Sequence, residues 1–343
     1  MKAAIVTQYN KNDLTLKMTT VDKPQITADQ VLLKVSAAGV NLLDNMITRG
    51  EVKLIVPYKL PVIGGNEVVG KIEAVGANVT QFSVGERVFS RLPLDSIGAF
   101  AEYVAVDANA IAKVPPYLSD VQAAAIPLTA LTVMQAFELM QVKKGNTIFI
   151  SGGTGGVGAM AIPLAKAKGL KVITNGSVEN KERVLALGVD RFIDYKTEDY
   201  TQTVANVDYV LDTLGGQETE KQMTIMKRGG QLVSLKGMPN GAFAKRMGFT
   251  GLKRLLFSFA GRKFDKMAKK YGVTYNFIFV QANGAQLAEV AKLFTKLELK
   301  PSLDTVYAFS DVNAALDKVA NGRSRGKTVL DLQQGENNGL SFN

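Results

Sequence analysis

The chain has 343 residues, 46% of them hydrophobic, with 41 Lys and Arg against 31 Asp and Glu and a formal charge of +10. That length suggests two domains, since single cores rarely grow beyond ~250–300 residues, and the apolar content supports a sizeable core. Cysteine and histidine are both absent, which excludes disulfides and Ser-His or Cys-His nucleophile pairs and removes the residue types from which zinc sites are chiefly built.

The first ten residues alternate like a strand and lack the apolar block of a signal peptide. With no apolar stretch of the ~20 residues needed to span a bilayer, the expectation is a soluble, cytoplasmic protein. Alternating or apolar runs at 3–6, 31–38, 67–75, 86–90 and 101–106, punctuated by glycines, read as a β-rich region. Pro115-Pro116 closes it, and a helical stretch from Ser119 through Met140 follows, with Ser119 as N-cap.

The rhythm then changes to strand–helix alternation. Strands are expected near 147–150, 171–174, 191–194, 207–212 and 231–235, with helices after the first, second and fourth, and a further strand at 275–280. Apolar strands separated by helices indicate a parallel sheet covered on both faces. Leu287, Val290, Ala291, Phe294 and Leu297 recur at a helical period. The tail over 306–332 reads strand, helix, strand and is assigned to the first domain. The expected organisation is α/β: a β-rich domain from 1–120 and 282–343, interrupted by a doubly wound, Rossmann-type parallel-sheet domain over 121–281.

The run Thr147-Ile-Phe-Ile-Ser-Gly152-Gly153-Thr154-Gly155-Gly156-Val157-Gly158 carries the most chemistry. Gly153, Gly155 and Gly158 give G-x-G-x-x-G between a strand and a helix, the context in which glycines turn the chain, admit a pyrophosphate and allow helix–strand packing. The helix start offers unpaired N–H groups and a positive dipole end to phosphates. A dinucleotide site is therefore expected. NAD sites place an Asp or Glu at the end of the second strand; here that corner reads Val172-Ile-Thr-Asn175-Gly-Ser177, with no acid until Glu179. Asn175 and Ser177 can bond a 2′-phosphate and Lys181 can neutralise it, so NADP is favoured over NAD. The alternative for Lys181 is a solvated helix-face lysine.

Several motifs in order resemble the medium-chain dehydrogenase/reductase family. They include Gly65-Asn-Glu-Val-Val-Gly70, Val84-Gly-Glu-Arg-Val88, Gly98-Ala-Phe-Ala-Glu-Tyr103, Ala130-Leu-Thr132, the glycine run, Leu187-Gly-Val-Asp190 and Gly322-Arg-Ser-Arg-Gly-Lys327. Val40-Asn41-Leu-Leu-Asp44 is similar to the hallmark of its zinc-independent, quinone oxidoreductase (zeta-crystallin-like) branch. Zinc-using relatives carry Cys where this chain has Val40-Asn41 and His where it has Asn66, and Met46 stands where many quinone oxidoreductases carry Tyr. The resemblance implies a GroES-like catalytic domain beside the Rossmann domain, no metal, and a homodimer. It places Asn41 and Thr132 at the nicotinamide end as catalytic candidates, and Gly155, Gly156 and Val157 along the pyrophosphate. Ser177, Lys181 and Tyr195 fall around the 2′-phosphate, Leu214 and Gly215 beside the adenosine, and Arg325 at the cofactor or substrate mouth. For Thr132, a buried hydroxyl bonding its own backbone is the alternative. Asp44, Glu67 and Tyr58 read as structural at least as readily as chemical.

Residues 245–270 hold nine basic residues against the single acid Asp265, with Phe249, Phe257, Phe259 and Phe264 close by or among them. A solvated helical face over packed phenylalanines is the plain reading; contact with anionic lipid is the sharper one. Nucleic acid is disfavoured, since the cluster is local and no nucleic-acid motif accompanies it. With no His or Cys to deliver protons, hydride transfer from NADPH to a quinone is expected first. An alkenal or enone acceptor comes second, and a non-catalytic NADPH- or RNA-binding protein on the same fold is a distant third.

Overall fold

The computed structural model describes residues 1–322 and 326–333. The chain divides into two compact units, Met1–Leu131 with Gln281–Asn343, and Thr132–Val280. The first boundary falls inside the helix Pro127–Met140 rather than before it, because the short helix Asp120–Ala123 packs on strands of the first unit. The run Asp120–Met140 is apolar and long enough to cross a membrane by length alone, yet 78% of its most apolar window is buried within the protein.

The first unit is built on a seven-stranded sheet. Its central strand, Gln30–Val40, pairs antiparallel with Glu67–Val75, Tyr103–Asp107 and Lys327–Asp331. Glu67–Val75 continues to Arg87–Arg91 and then Ile111–Lys113, while Leu303–Ala308 adds a parallel edge beside Lys327–Asp331. A smaller sheet joins Lys17–Thr20, Lys2–Val6 and Val62–Ile63. Val31, Leu33, Val68, Ile72, Phe100 and Leu330 form part of one buried core. The last strand is thus hydrogen-bonded into the β-rich unit with which the chain begins.

The second unit is a six-stranded, wholly parallel sheet. Its strands are β1 (Thr147–Ile150), β2 (Lys171–Gly176), β3 (Arg191–Asp194), β4 (Val207–Asp212), β5 (Met226–Ser234) and β6 (Thr274–Phe277), in the order β3-β2-β1-β4-β5-β6. This is the doubly wound dinucleotide-binding order, whose switch point lies between β1 and β4, where the strand order reverses. β4 is buried along its whole length, as expected of an apolar strand covered on both faces.

Candidate functional site

The glycines after β1 have separable roles. Gly152 takes the left-handed turn at φ +65°, a conformation that L side chains rarely adopt. A β-carbon on Gly153 would lie 2.1 Å from Thr174 Oγ1, and one on Gly158 would lie 2.4 Å from the Gly153 Cα. Those two positions are closed by packing. At Gly155 a β-carbon would meet only the Gly152 carbonyl, at 3.4 Å, so the open face of the turn is there. Gly155 is also the N-cap of the helix Gly156–Ala167, without a side-chain cap bond. Gly156, Val157 and Gly158 therefore begin the helix with N–H groups that have no intrahelical acceptor, at the positive end of its dipole.

Three further strands fix this cradle. Asn175 is buried near the end of β2; its Oδ1 accepts the Gly152 N–H at 2.8 Å and its carbonyl accepts the Gly153 N–H at 3.0 Å. Asn175 thus shapes the turn. Ser177 follows β2 and is half-buried, and Lys181, first residue of the helix Lys181–Ala186, is exposed and makes no ion pair among the described residues. Tyr195, 58% exposed, follows β3 and donates its N–H to the Gly176 carbonyl. The parallel register Gly176 with Asp194 brings Ser177 and Tyr195 to neighbouring strand ends. Glu179, the next acid along the chain after β2, is paired with Lys196 at 3.0 Å.

The sequence reading missed two supports of this site. Arg183 donates from Nη2 to the Thr154 carbonyl at 2.6 Å, tying the following helix to the glycine turn. Asp212, wholly buried at the end of β4, accepts from the backbone N–H groups of Leu214 and Gly215, from Thr219 and Ser234 hydroxyls, and from Gln222. That carboxylate holds the loop on which Leu214 stands 44% exposed. The motif D-x-L-G was visible in the chain, but its five donors come from three elements.

The first unit carries a buried polar cluster. Lys327 meets Glu67 Oε2 at 2.5 Å and Asn41 Oδ1 at 2.5 Å, with side-chain exposures of 10% and 0% for the Lys and Glu. Asn41 donates to Glu67 Oε2 at 3.1 Å and to the Gly39 carbonyl at 3.3 Å, while Glu67 Oε1 accepts the Leu128 N–H. Asp44 accepts from the Asn41 backbone at 2.7 Å and from Asn66 Nδ2 at 2.6 Å. Burial pushes its carboxyl up to about 6, against those two hydrogen bonds, which pull it down. Arg91, opposite Glu67 across the strand pair, is fully buried, and burial brings its guanidinium down to about 10. Tyr58 is raised to about 12 by burial, so its phenol stays protonated at neutral pH.

Asn41 thus belongs to the first unit, with its amide bonded inward, and Thr132 is buried at the start of the second. Lys327 is the partner that the sequence reading passed over, two residues from Arg325, which lies outside the described residues. Zinc does not fit. The positions where zinc-using relatives supply Cys and His hold Asn41 and Asn66, whose amides are tied to carboxylates, and no group of three His, Cys, Asp or Glu able to hold a metal occurs among the described residues.

A parallel sheet of Rossmann order and a glycine cradle define a dinucleotide-binding protein, and no metal-ligand cluster occurs among the described residues of its β-rich unit. Residues 27–116 match the alcohol dehydrogenase GroES-like domain and 187–330 the zinc-binding dehydrogenase domain. A tomato 2-methylene-furan-3-one reductase is 30% identical over 96% of this chain and 79% of its own. The zebrafish mitochondrial NAD(P)H oxidoreductase RTN4IP1 is 29% identical over 97% and 92%, and a spinach chloroplastic quinone-oxidoreductase homolog is 27% identical over 96% and 98%. Among solved structures, the quinone oxidoreductase from Coxiella burnetii is similar at TM-score 0.82 and 28% identity, covering 97% of this chain and 99% of that one. A mycobacterial protein complexed with NADPH is similar at TM-score 0.75 and 25% identity, covering 96% and 99%.

The chain belongs to the zinc-independent, quinone oxidoreductase-like branch of the medium-chain dehydrogenase/reductases. It is an NADPH-type oxidoreductase, and its cofactor is NADP(H). The expectation of a cytoplasmic location is not supported, since relatives over nearly the whole chain are named mitochondrial or chloroplastic. A strand-like N-terminal segment says how a chain folds; it does not carry its address.

Proposed function

We propose that the protein reduces quinones with NADPH, and that it acts as a homodimer. Bound NADPH supplies the hydride, and a quinone that accepts it becomes a hydroquinone on taking one proton from solvent. The observation that carries this reading is the inward bonding of the polar groups nearest the family's catalytic segment. Asn41 uses its amide oxygen on Lys327 and both amide hydrogens on Glu67 and Gly39, and Glu67 is itself paired. An acceptor that is already electrophilic asks least of such a site. The residues proposed for the cofactor are Gly155, Gly156 and Val157 at the pyrophosphate, with Ser177, Lys181 and Tyr195 around the 2′-phosphate. Gly153, Gly158 and Asn175 hold the cradle's shape, and Leu214 borders the adenosine.

A second reading, reduction of an alkenal or enone, is favoured by the relative named 2-methylene-furan-3-one reductase. That reaction also requires a polarised carbonyl and a proton at the α-carbon. NADPH oxidation measured side by side with 1,4-naphthoquinone, 9,10-phenanthrenequinone and a 2-alkenal decides between them. Quinone turnover is expected; turnover of the alkenal alone overturns the first reading, and turnover of none overturns both. Sedimentation equilibrium tests the dimer, and a monomer at micromolar concentration refutes it.

A further inference from the structure

The basic segment folds into the helices Gly241–Arg246, Gly251–Ala260 and Arg262–Tyr271. Its phenylalanines largely turn inward. Phe243 packs edge-on against Phe249, Phe257 and Phe277, Phe249 stacks on Phe257 at 5.5 Å, and Phe264 stacks on Tyr275 at 5.0 Å. That cluster closes the segment onto β6 and satisfies one apolar face of the middle helix.

The middle helix has a second apolar face, and it points to solvent. Leu252, Leu255, Leu256 and Phe259 are 71%, 65%, 53% and 75% exposed. They recur at i, i+3, i+4 and i+7, which places them on one side of an α-helix. Around them in the segment, Lys245, Arg254, Arg262, Lys263, Lys266 and Lys269 make no ion pair among the described residues, and Asp265 bonds Asn240. Four large exposed apolar side chains in one row exceed the scattered singles of an ordinary surface.

We infer that this helix face is a docking surface for an anionic lipid bilayer, with Leu252, Leu255, Leu256 and Phe259 entering the headgroup–acyl boundary and the flanking cations on lipid phosphates. An apolar row set among unpaired Lys and Arg is the signature of an interfacial helix. The rival occupants fit less well. A second copy docking by a two-fold axis would lay one set of unpaired cations against an identical set. Single-stranded nucleic acid is bound by stacking bases on aromatic rings, and here Phe249, Phe257 and Phe264 are turned into the protein, leaving Phe259 as the one exposed phenylalanine in a row of leucines. The proposal is independent of which acceptor is reduced.

The test is co-sedimentation of the full-length protein with vesicles of phosphatidylcholine alone and of phosphatidylcholine mixed with phosphatidylglycerol, at low and high salt. Binding is expected on the mixed vesicles at low salt, with loss at high salt and little on phosphatidylcholine. Lys263→Gln and Lys266→Gln should each weaken it about fivefold. The pair Leu255→Ser with Phe259→Ser should weaken it about tenfold or more while NADPH oxidation by the soluble protein stays unchanged. Absence of binding to the mixed vesicles at low salt overturns the proposal, as does equal binding by the apolar double variant. A dimer that this variant alone dissociates assigns the face to a second copy instead. Binding of single-stranded RNA that the apolar variant loses, without vesicle binding, assigns it to nucleic acid.

Discussion

The polar cluster of the first unit and the glycine cradle of the second use their hydrogen-bonding groups in opposite directions. In the first, Lys327, Glu67, Asn41, Asp44 and Asn66 bond to one another and to nearby backbone, out of reach of water. In the second, packing closes Gly153 and Gly158, while Gly155, the helix start and Lys181 remain free to meet a ligand. A cluster bonded mainly within itself, with Asn66 Oδ1 its one buried atom left without a partner, contributes stability and position. A cradle left open contributes affinity. Substitutions in the two regions should therefore separate in what they change.

The largest effect is expected from Lys327→Met. It leaves Glu67 as a buried carboxylate without its cation, a change that costs about 3–5 kcal/mol. The midpoint of thermal unfolding should fall clearly, and Glu67→Gln added to Lys327→Met should recover much of the loss. If the single variant melts like the wild type, the cluster is not the closed unit described. Asp44 gives a smaller, pH-dependent effect of known sign. Its carboxyl is raised from an unfolded value near 4 to about 6 in the fold. The folded state therefore binds more protons across that window, and stability falls as pH rises through it, by at most about 1.4 kcal/mol per pH unit. Above about pH 6 the penalty is complete. Asp44→Asn should remove this component from the difference between Tm values at pH 4.5 and pH 6.5, and an unchanged slope would assign the titration elsewhere.

The same contrast explains what was legible in the sequence. The cradle is built from residues that are neighbours along the chain, and a strand, a run of glycines and a helix start have steric consequences that local pattern carries. The acid-free corner after β2 was readable for the same reason. The first-unit cluster was not, because its members stand at positions 41, 44, 66, 67 and 327, and the bond from Lys327 to Asn41 spans 286 residues. The motif ending in Lys327 was noticed, but charge alone does not say that this lysine is buried. Its place in the fold decides it, since Lys327 opens a strand that pairs with Gln30–Val40. The basic segment was legible in part: phenylalanines packed beneath a solvated face were expected, and Phe249, Phe257 and Phe264 are so placed. Its periodicity permits two apolar faces, and only packing against β6 shows that Phe257 and Phe264 turn inward while Leu255 and Phe259 do not.

Within the cradle, Gly155→Ala and Gly153→Ala should diverge. A methyl at 153 collides with Thr174 and disturbs the turn itself, whereas at 155 it has room in the protein and would occupy the face proposed for the pyrophosphate. Gly155→Ala should leave Tm nearly unchanged and weaken NADPH binding by about tenfold, or roughly 1.4 kcal/mol. Gly153→Ala should lower both Tm and affinity. Fluorescence titration of NADPH beside thermal melts reads both quantities, and equal melting losses in the two variants would remove the distinction between packing and ligand-facing glycines.

The smallest effect concerns the choice of cofactor, and it tests the open side of the comparison most directly. Lys181 is exposed and has no acidic partner among the described residues, so its removal breaks no ion pair among them. Its charge matters only if a phosphate lies near it. An exposed lysine facing one phosphate contributes about 1 kcal/mol, close to fivefold, and salt screens it. Lys181→Ala should therefore raise KM for NADPH about fivefold at low ionic strength, by less at high, and leave KM for NADH essentially unchanged. Ser177→Ala should act in the same direction more weakly, because a neutral hydroxyl donates one hydrogen bond without a charge. Equal changes for NADPH and NADH would mean that Lys181 is a solvated helix-face residue, and the preference for the 2′-phosphate would then rest on Ser177, Tyr195 and the absence of a free carboxylate at the corner.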